Sequence, residues 1–151
     1  FVGPLDSWHG RTEPQSWLES LVKTYVGDGI AGDFYRKVAA LADEETRNLV
    51  EGVLAETGRA EFVSATVRAA VEEDPKLVGR LSLWARRLVG EALSQAQSVA
   101  VSRPELAALL AADPEQSSKG TGLGDLAAVS RMFASLTDRH SARLEAMGLT
   151  A

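Results

Sequence analysis

The sequence predicts an all-α protein, an antiparallel four-helix bundle with one short extra helix between the third and last long helices. Apolar residues recur at alternating spacings of three and four over long stretches, the period of a helix with one buried face. The two-residue alternation of β-strands is nearly absent, and Ala, Leu, Val, Glu and Arg dominate. Turn residues come only at long intervals, with short connections that make successive helices antiparallel. The chain has 151 residues, 45% hydrophobic and 25% charged, enough for a single domain over 1–151 with a real core.

The elements follow in order. Thr12-Glu13-Pro14-Gln15 reads as a capping box, with Pro14 tolerated in the first turn of a helix running to about Ala42. Asp43 caps a second helix over residues 44–73. Asp74-Pro75 stops it and starts a third, with Pro75 at the first helical position, ending near Val101. Ser102-Arg103-Pro104-Glu105 is a second capping box, opening the short helix to about Ala112. A polar Gly/Ser-rich loop over 113–124 follows. Asp125 caps the last helix, which ends at Met147 before Gly148.

Each long helix has a seam, and each seam carries a polar residue near its middle. The first reads Leu18, Leu21, Tyr25, Asp28, Gly32, Tyr35, Ala39, and the second Leu49, Val53, Glu56, Ala60, Val63, Val67. The third reads Leu77, Leu81, Trp84, Leu88, Glu91, Gln95. The last reads Leu126, Val129, Phe133, Leu136, His140, Leu144, Met147. Midpoints of antiparallel helices lie at similar heights, so Asp28, Glu56, Glu91 and His140 are expected to share one layer. Burying unpaired carboxylates is costly, and several together repel, so a proton, a cationic side chain or a metal must accompany them. Two readings remain open. Either Glu56 pairs with Arg59 and Asp28 or Glu91 with His140, or the four residues form a present or former metal site.

The stretches YVGDGIAGDFYRKVA, LAETGRAEF, LVGEALSQAQ and LTDRHSARL, together with the four polar seams, resemble the ferritin-like diiron proteins. The likeness covers nearly the whole chain, and it is to the actinobacterial branch similar to the tRNA hydroxylase acting on methylthio-isopentenyl-adenosine. It implies a ferritin-like bundle, iron as cofactor, tRNA as partner and O2-dependent hydroxylation of a modified tRNA base. In such proteins two helices each give one Glu and two each give Glu-x-x-His. Here Asp28 stands for the first Glu, and Glu91 is as the pattern requires. Arg59 replaces the His of the motif begun by Glu56, and Thr137 replaces the Glu of the motif ended by His140. Asp138 is one residue off position and points about 100° away.

Two of six ligands are therefore missing. Three carboxylates and Arg59 carry a net charge of about minus two, which matches one divalent ion, or none if His140 and one carboxylate are protonated. Arginine keeps its charge and cross-links carboxylates through five donors. The expectation is at most one divalent ion at Asp28, Glu56, Glu91 and His140, with Arg59 standing in for a lost metal. Thr137, Tyr25 and Gln95 would surround the site. The alternative is a non-catalytic ferritin-like binding or structural protein whose polar core is held by Arg59.

Other features exclude more than they assign. No cysteine is present, so thiol nucleophiles and zinc-thiolate sites are out, and a reducing cytoplasm is the expected setting. No apolar run approaches a membrane span, and no signal peptide is recognisable. A net charge of −5 argues against a broad nucleic-acid surface. Arg86-Arg87 with Arg131, Arg139 and Arg143 are the best candidates for a basic patch. Trp8-His9-Gly10 precedes the first expected helix, and His9 reads as a surface or packing residue. Tyr35 and Trp84 read as core aromatics. GTGLG lacks the preceding strand of a dinucleotide site, so no nucleotide-cofactor motif is present. A homodimer remains open.

Overall fold

The computed structural model describes residues 2–55, 58–103 and 122–150, and every regular element within them is an α-helix. In chain order these are α1 (Val2–Arg11), α2 (Trp17–Ala39), α3 (Glu44–Val53), α4 (Arg59–Glu73), α5 (Lys76–Ser102) and α6 (Gly122–Ala146). α2, the α3–α4 pair, α5 and α6 form the bundle, and α1 lies along α5. The core joins Val22 and Val26 of α2, Val63, Val67 and Val71 of α4, Leu81, Trp84, Ala85 and Leu88 of α5, and Leu144, Met147 and Leu149 at the chain's end. Each fully buried Leu or Val contributes roughly 1.5–3 kcal/mol. No helix among the described residues is long and apolar enough to cross a membrane.

Most boundaries follow local chemistry. Asp43 caps α3 as expected, its carboxylate accepting from the Thr46 backbone N–H at 2.9 Å. Asp74 and Pro75 break the chain as expected, although Pro75 is the N-cap of α5 and not its first helical residue. α6 ends in a Schellman motif: Leu149 N–H reaches Leu144 O at 2.9 Å and Gly148 N–H reaches Glu145 O at 3.0 Å. Gly148 takes φ +75°, which favours glycine. α6 begins at Gly122, so Asp125 lies inside the helix and does not cap it. Ser102 is the last residue of α5 and donates back to Val99 O at 3.1 Å. Pro104 and Glu105 of its expected capping box, the short helix and residues 113–121 of the expected loop lie outside the described residues.

Four expectations are corrected. α1 is a helix in a stretch that was expected only to precede the first helix. Long-range contacts hold it: Trp8 Nε1 donates to Leu88 O at 3.1 Å, and Arg87 donates to Arg11 O at 2.6 Å. α2 starts after Ser16, not at Thr12, because the Thr12 hydroxyl is used on Trp8 O at 2.6 Å. Ser16 Oγ instead accepts from Glu19 N–H, and Glu19 Oε2 from Gln15 N–H at 2.7 Å. The second expected helix is two, separated by a break that ends at Gly58 with φ +77°. Past that break Val63 and Val67 are buried as expected, whereas Leu49 and Val53 are largely exposed.

The fourth correction concerns phase. The buried residues of α2 are Glu19, Val22, Val26, Gly32, Asp33 and Ala39. Gly32 and Ala39 are buried as expected, but Glu19, Val22 and Val26 are more deeply buried than Leu18, Leu21 and Tyr25, which pack only partly against the core. Over this stretch the centre of the buried face therefore lies one residue further on, about 100° round the helix. Tyr35 and Asp28 consequently face outwards, 53% and 57% exposed.

Candidate functional site

Rotation of α2 brings a different carboxylate into the bundle. Asp33, only 4% exposed, sits one turn beyond Gly29 on the face that carries Val22 and Val26. Arg143 of α6 donates through Nη2 to Asp33 Oδ2 and to Gly29 O, the latter at 3.1 Å. Gly29 is required for this approach, since a Cβ there would lie 2.2 Å from Arg143 Nε. Arg139, one turn back on α6, donates to Asp33 Oδ1 at 2.9 Å, and Arg36 Nη1 stands 3.8 Å away. Three guanidiniums from two helices thus surround one buried carboxylate. Arg36 also joins α2 to the end of α3, donating to Leu54 O at 3.1 Å and to Glu51 at 3.4 Å.

Asp28 and Arg59 meet on the adjoining outer face, with Arg59 Nη1 donating to Asp28 Oδ2 at 2.7 Å. The expected contact between Arg59 and a carboxylate of its layer is present. Its setting differs, because both side chains are more than half exposed. Such a pair contributes about 0–1 kcal/mol, not the several expected of a dry one. It borders a cavity of about 390 Å³ between α2, α3 and α4, lined by Tyr25, Asp28, Tyr35, Arg36, Arg59 and Arg143 among others.

The remaining expected site residues occupy distinct places. Glu56 lies outside the described residues. Glu91 Oε2 is shielded from water and accepts no hydrogen bond, although Arg11 Nη1 is 3.5 Å away. His140 is 3% exposed, and neither ring nitrogen has a hydrogen-bond partner. Burial, with Arg143 second, pushes its pKa down to about 4, so the ring is neutral at pH 7. Thr137 is exposed and donates to Phe133 O at 2.9 Å. Gln95 borders a different cavity, on the α1–α5 side of α2. Among the described residues no three His, Asp or Glu side chains come together in a group able to hold a metal ion.

Asp33 was not foreseen, and Arg143, grouped with Arg139 as a candidate basic patch, is not a surface cation, whereas Arg139 is more than half exposed. Arg143 is 15% exposed, and both arginines are bound to Asp33. A signal was present in Val22, Val26, Gly29 and Asp33, whose spacings of four, three and four describe a stripe as regular as the one chosen. The family model of the actinomycete ferritin-like domain matches residues 1–113. A comparison with curated proteins finds no match.

Proposed function

The chain belongs to the actinomycete ferritin-like domain family, and we propose that it is a non-catalytic binding member in which arginine–carboxylate cross-links stand in for a metal pair. The observation that carries this reading is the 2.7 Å bond from Arg59 to Asp28. A guanidinium there occupies the carboxylate that the family likeness offers as a ligand, and it brings a positive charge where a second cation would have to sit. Asp33 repeats the device inside the bundle. The described residues therefore do not fit a two-metal centre. O2-dependent hydroxylation of a modified tRNA base, which the likeness implies, would have to run with Arg59 and Thr137 at two of six ligand positions. The arginine-lined cavity beside Asp28 is the site where such a binding protein would take a small polar ligand.

A second reading has its own support. Glu91 Oε2 and both nitrogens of His140 are buried polar atoms without hydrogen bonds, and a neutral imidazole is a competent ligand. One divalent ion held by Glu91 and His140 would satisfy them.

Metal analysis after expression in iron-rich medium separates these readings. The first expects no stoichiometric metal, and thermal unfolding indifferent to ferrous or manganous ion under anaerobic conditions. About one ion per chain, lost in His140→Ala, would establish the second. Two irons with the visible bands of an oxo-bridged pair would overturn both. Arg59→His exchanges a fixed cation for a neutral ligand and should gain a metal-dependent rise in melting temperature if Glu91 and His140 are within reach.

A further inference from the structure

A second cavity of about 560 Å³ lies between α1, α2 and α5, across α2 from the arginine-lined one. Its volume is within the ~300–1,000 Å³ of ordinary small-ligand sites. The exposed wall is mostly apolar, with Leu5, Trp8, Ile30, Phe34, Ala92 and Ala96 in it, and its polar members include Lys23, Thr24, Asp28 and Gln95. This composition suits a hydrocarbon body with one oriented polar end.

The wall is fixed before any ligand arrives. Trp8 is tied by its hydrogen bond to Leu88 O at 3.1 Å. Its indole packs on the bare backbone of Gly27, where a Cβ would lie 3.1 Å from the ring. Lys23 stands at the edge with its ammonium 4.9 Å from the Trp8 ring centroid. It donates to Thr12 O at 2.6 Å and, at the limit of bonding, to His9 O at 3.5 Å. An ammonium has three donors, and the described residues place no carboxylate within ion-pair distance of this one. The opposite charge bordering the cavity is Asp28, which Arg59 already neutralises at 2.7 Å.

We propose that this cavity binds a small amphipathic carboxylic acid, its hydrocarbon body against Trp8, Ile30 and Phe34 and its carboxylate on the Lys23 ammonium. Burial holds the Lys23 pKa below the ordinary lysine value, with Glu13 partly offsetting it, so the cation is under-compensated in the free protein. A carboxylate beside it supplies the missing counter-charge without displacing an existing pair. A quaternary ammonium amphiphile would have to compete with Arg59 for Asp28. A neutral alcohol would gain the apolar contacts alone. The inference is independent of whether metal binds near Glu91 and His140.

The test is calorimetric titration of the full chain with decanoate, decanol and decyltrimethylammonium. Decanoate should bind one to one and at least about tenfold more tightly than decanol, the worth of a charge-assisted hydrogen bond. Lys23→Met should abolish that preference, so that acid and alcohol bind alike, and Lys23→Arg should retain it. Ala92→Phe, which fills the cavity, should weaken both ligands. No one-to-one binding of decanoate, equal affinity for decanoate and decanol, or preference for the ammonium amphiphile would overturn the proposal. So would decanoate binding unchanged in Ala92→Phe. The comparison of three head groups on the wild-type chain decides the matter even if a variant fails to fold.

Discussion

Replacing Asp33 by Ala should destabilise the fold far more than replacing Asp28 by Ala, although both carboxylates lie on α2 and both are bound by arginine. Asp33 is 4% exposed, and its chief partner Arg143 only 15%. Arg139 is more than half exposed and can turn its guanidinium to water once its partner is gone. Arg143 cannot do so easily, because Gly29 and the neighbouring helix enclose it. The cost of Asp33→Ala is therefore that of one buried cation left without counter-charge, about 3–5 kcal/mol. At roughly 2–4 °C per kcal/mol for a chain of this size, the melting temperature should fall by about 6–20 °C. Asp28→Ala breaks a solvated pair and should cost about 0–1 kcal/mol. Urea unfolding followed by far-ultraviolet circular dichroism gives both values if the slope of the transition is unchanged. Adding Arg143→Met to Asp33→Ala removes the stranded charge and should recover much of the loss. Asp28→Ala costing as much as Asp33→Ala, or no recovery in the double variant, would refute the assignment of Asp33 to the buried stripe.

Two further outcomes follow from the same region. His140 has a folded pKa of about 4 against 6.5 for the unfolded group. The unfolded chain then binds more protons between those values, so this contribution to stability is whole above pH 6.5 and is lost as pH falls towards 4. The loss approaches about 3 kcal/mol at 1.36 kcal/mol per unit. The urea midpoint measured across that window should fall with acidity in the wild type and flatten in His140→Phe. Gly29→Ala would place a Cβ 2.2 Å from Arg143 Nε. It should destabilise by about 1–3 kcal/mol despite the better helix propensity of Ala. In an Arg143→Ala background the same change should become stabilising, by up to about 1 kcal/mol, which thermal unfolding would show.

The sequence by itself determined several helix starts and stops where the signal was local, though not the start of α2, which the Thr12 capping box misplaced. Asp43 caps α3, Pro75 opens α5, and Gly148 closes α6, because each position depends on the φ preference or hydrogen bonds of a few neighbouring residues. The seams of α5 and α6 were legible too, since bulky Leu81, Trp84, Leu88, Leu136 and Leu144 admit only one buried face. The seams and their charge balance led to the expectation that Arg59 meets a carboxylate, and the structure shows which one, Asp28. Tertiary structure decided the rest. It made a helix of Val2–Arg11 through the distant Trp8–Leu88 and Arg87–Arg11 bonds, which no local window contains. It also chose the phase of α2. That helix carries two stripes about 100° apart, one through Tyr25, Asp28 and Gly32, the other through Val26, Gly29 and Asp33. Periodicity cannot separate them, because a glycine adds no side chain to either face. What separates them is the fit to α6. Only the second stripe opens a gap at Gly29 for the Arg143 side chain and meets its guanidinium with Asp33, so a neighbouring helix far along the chain determines which carboxylate is buried.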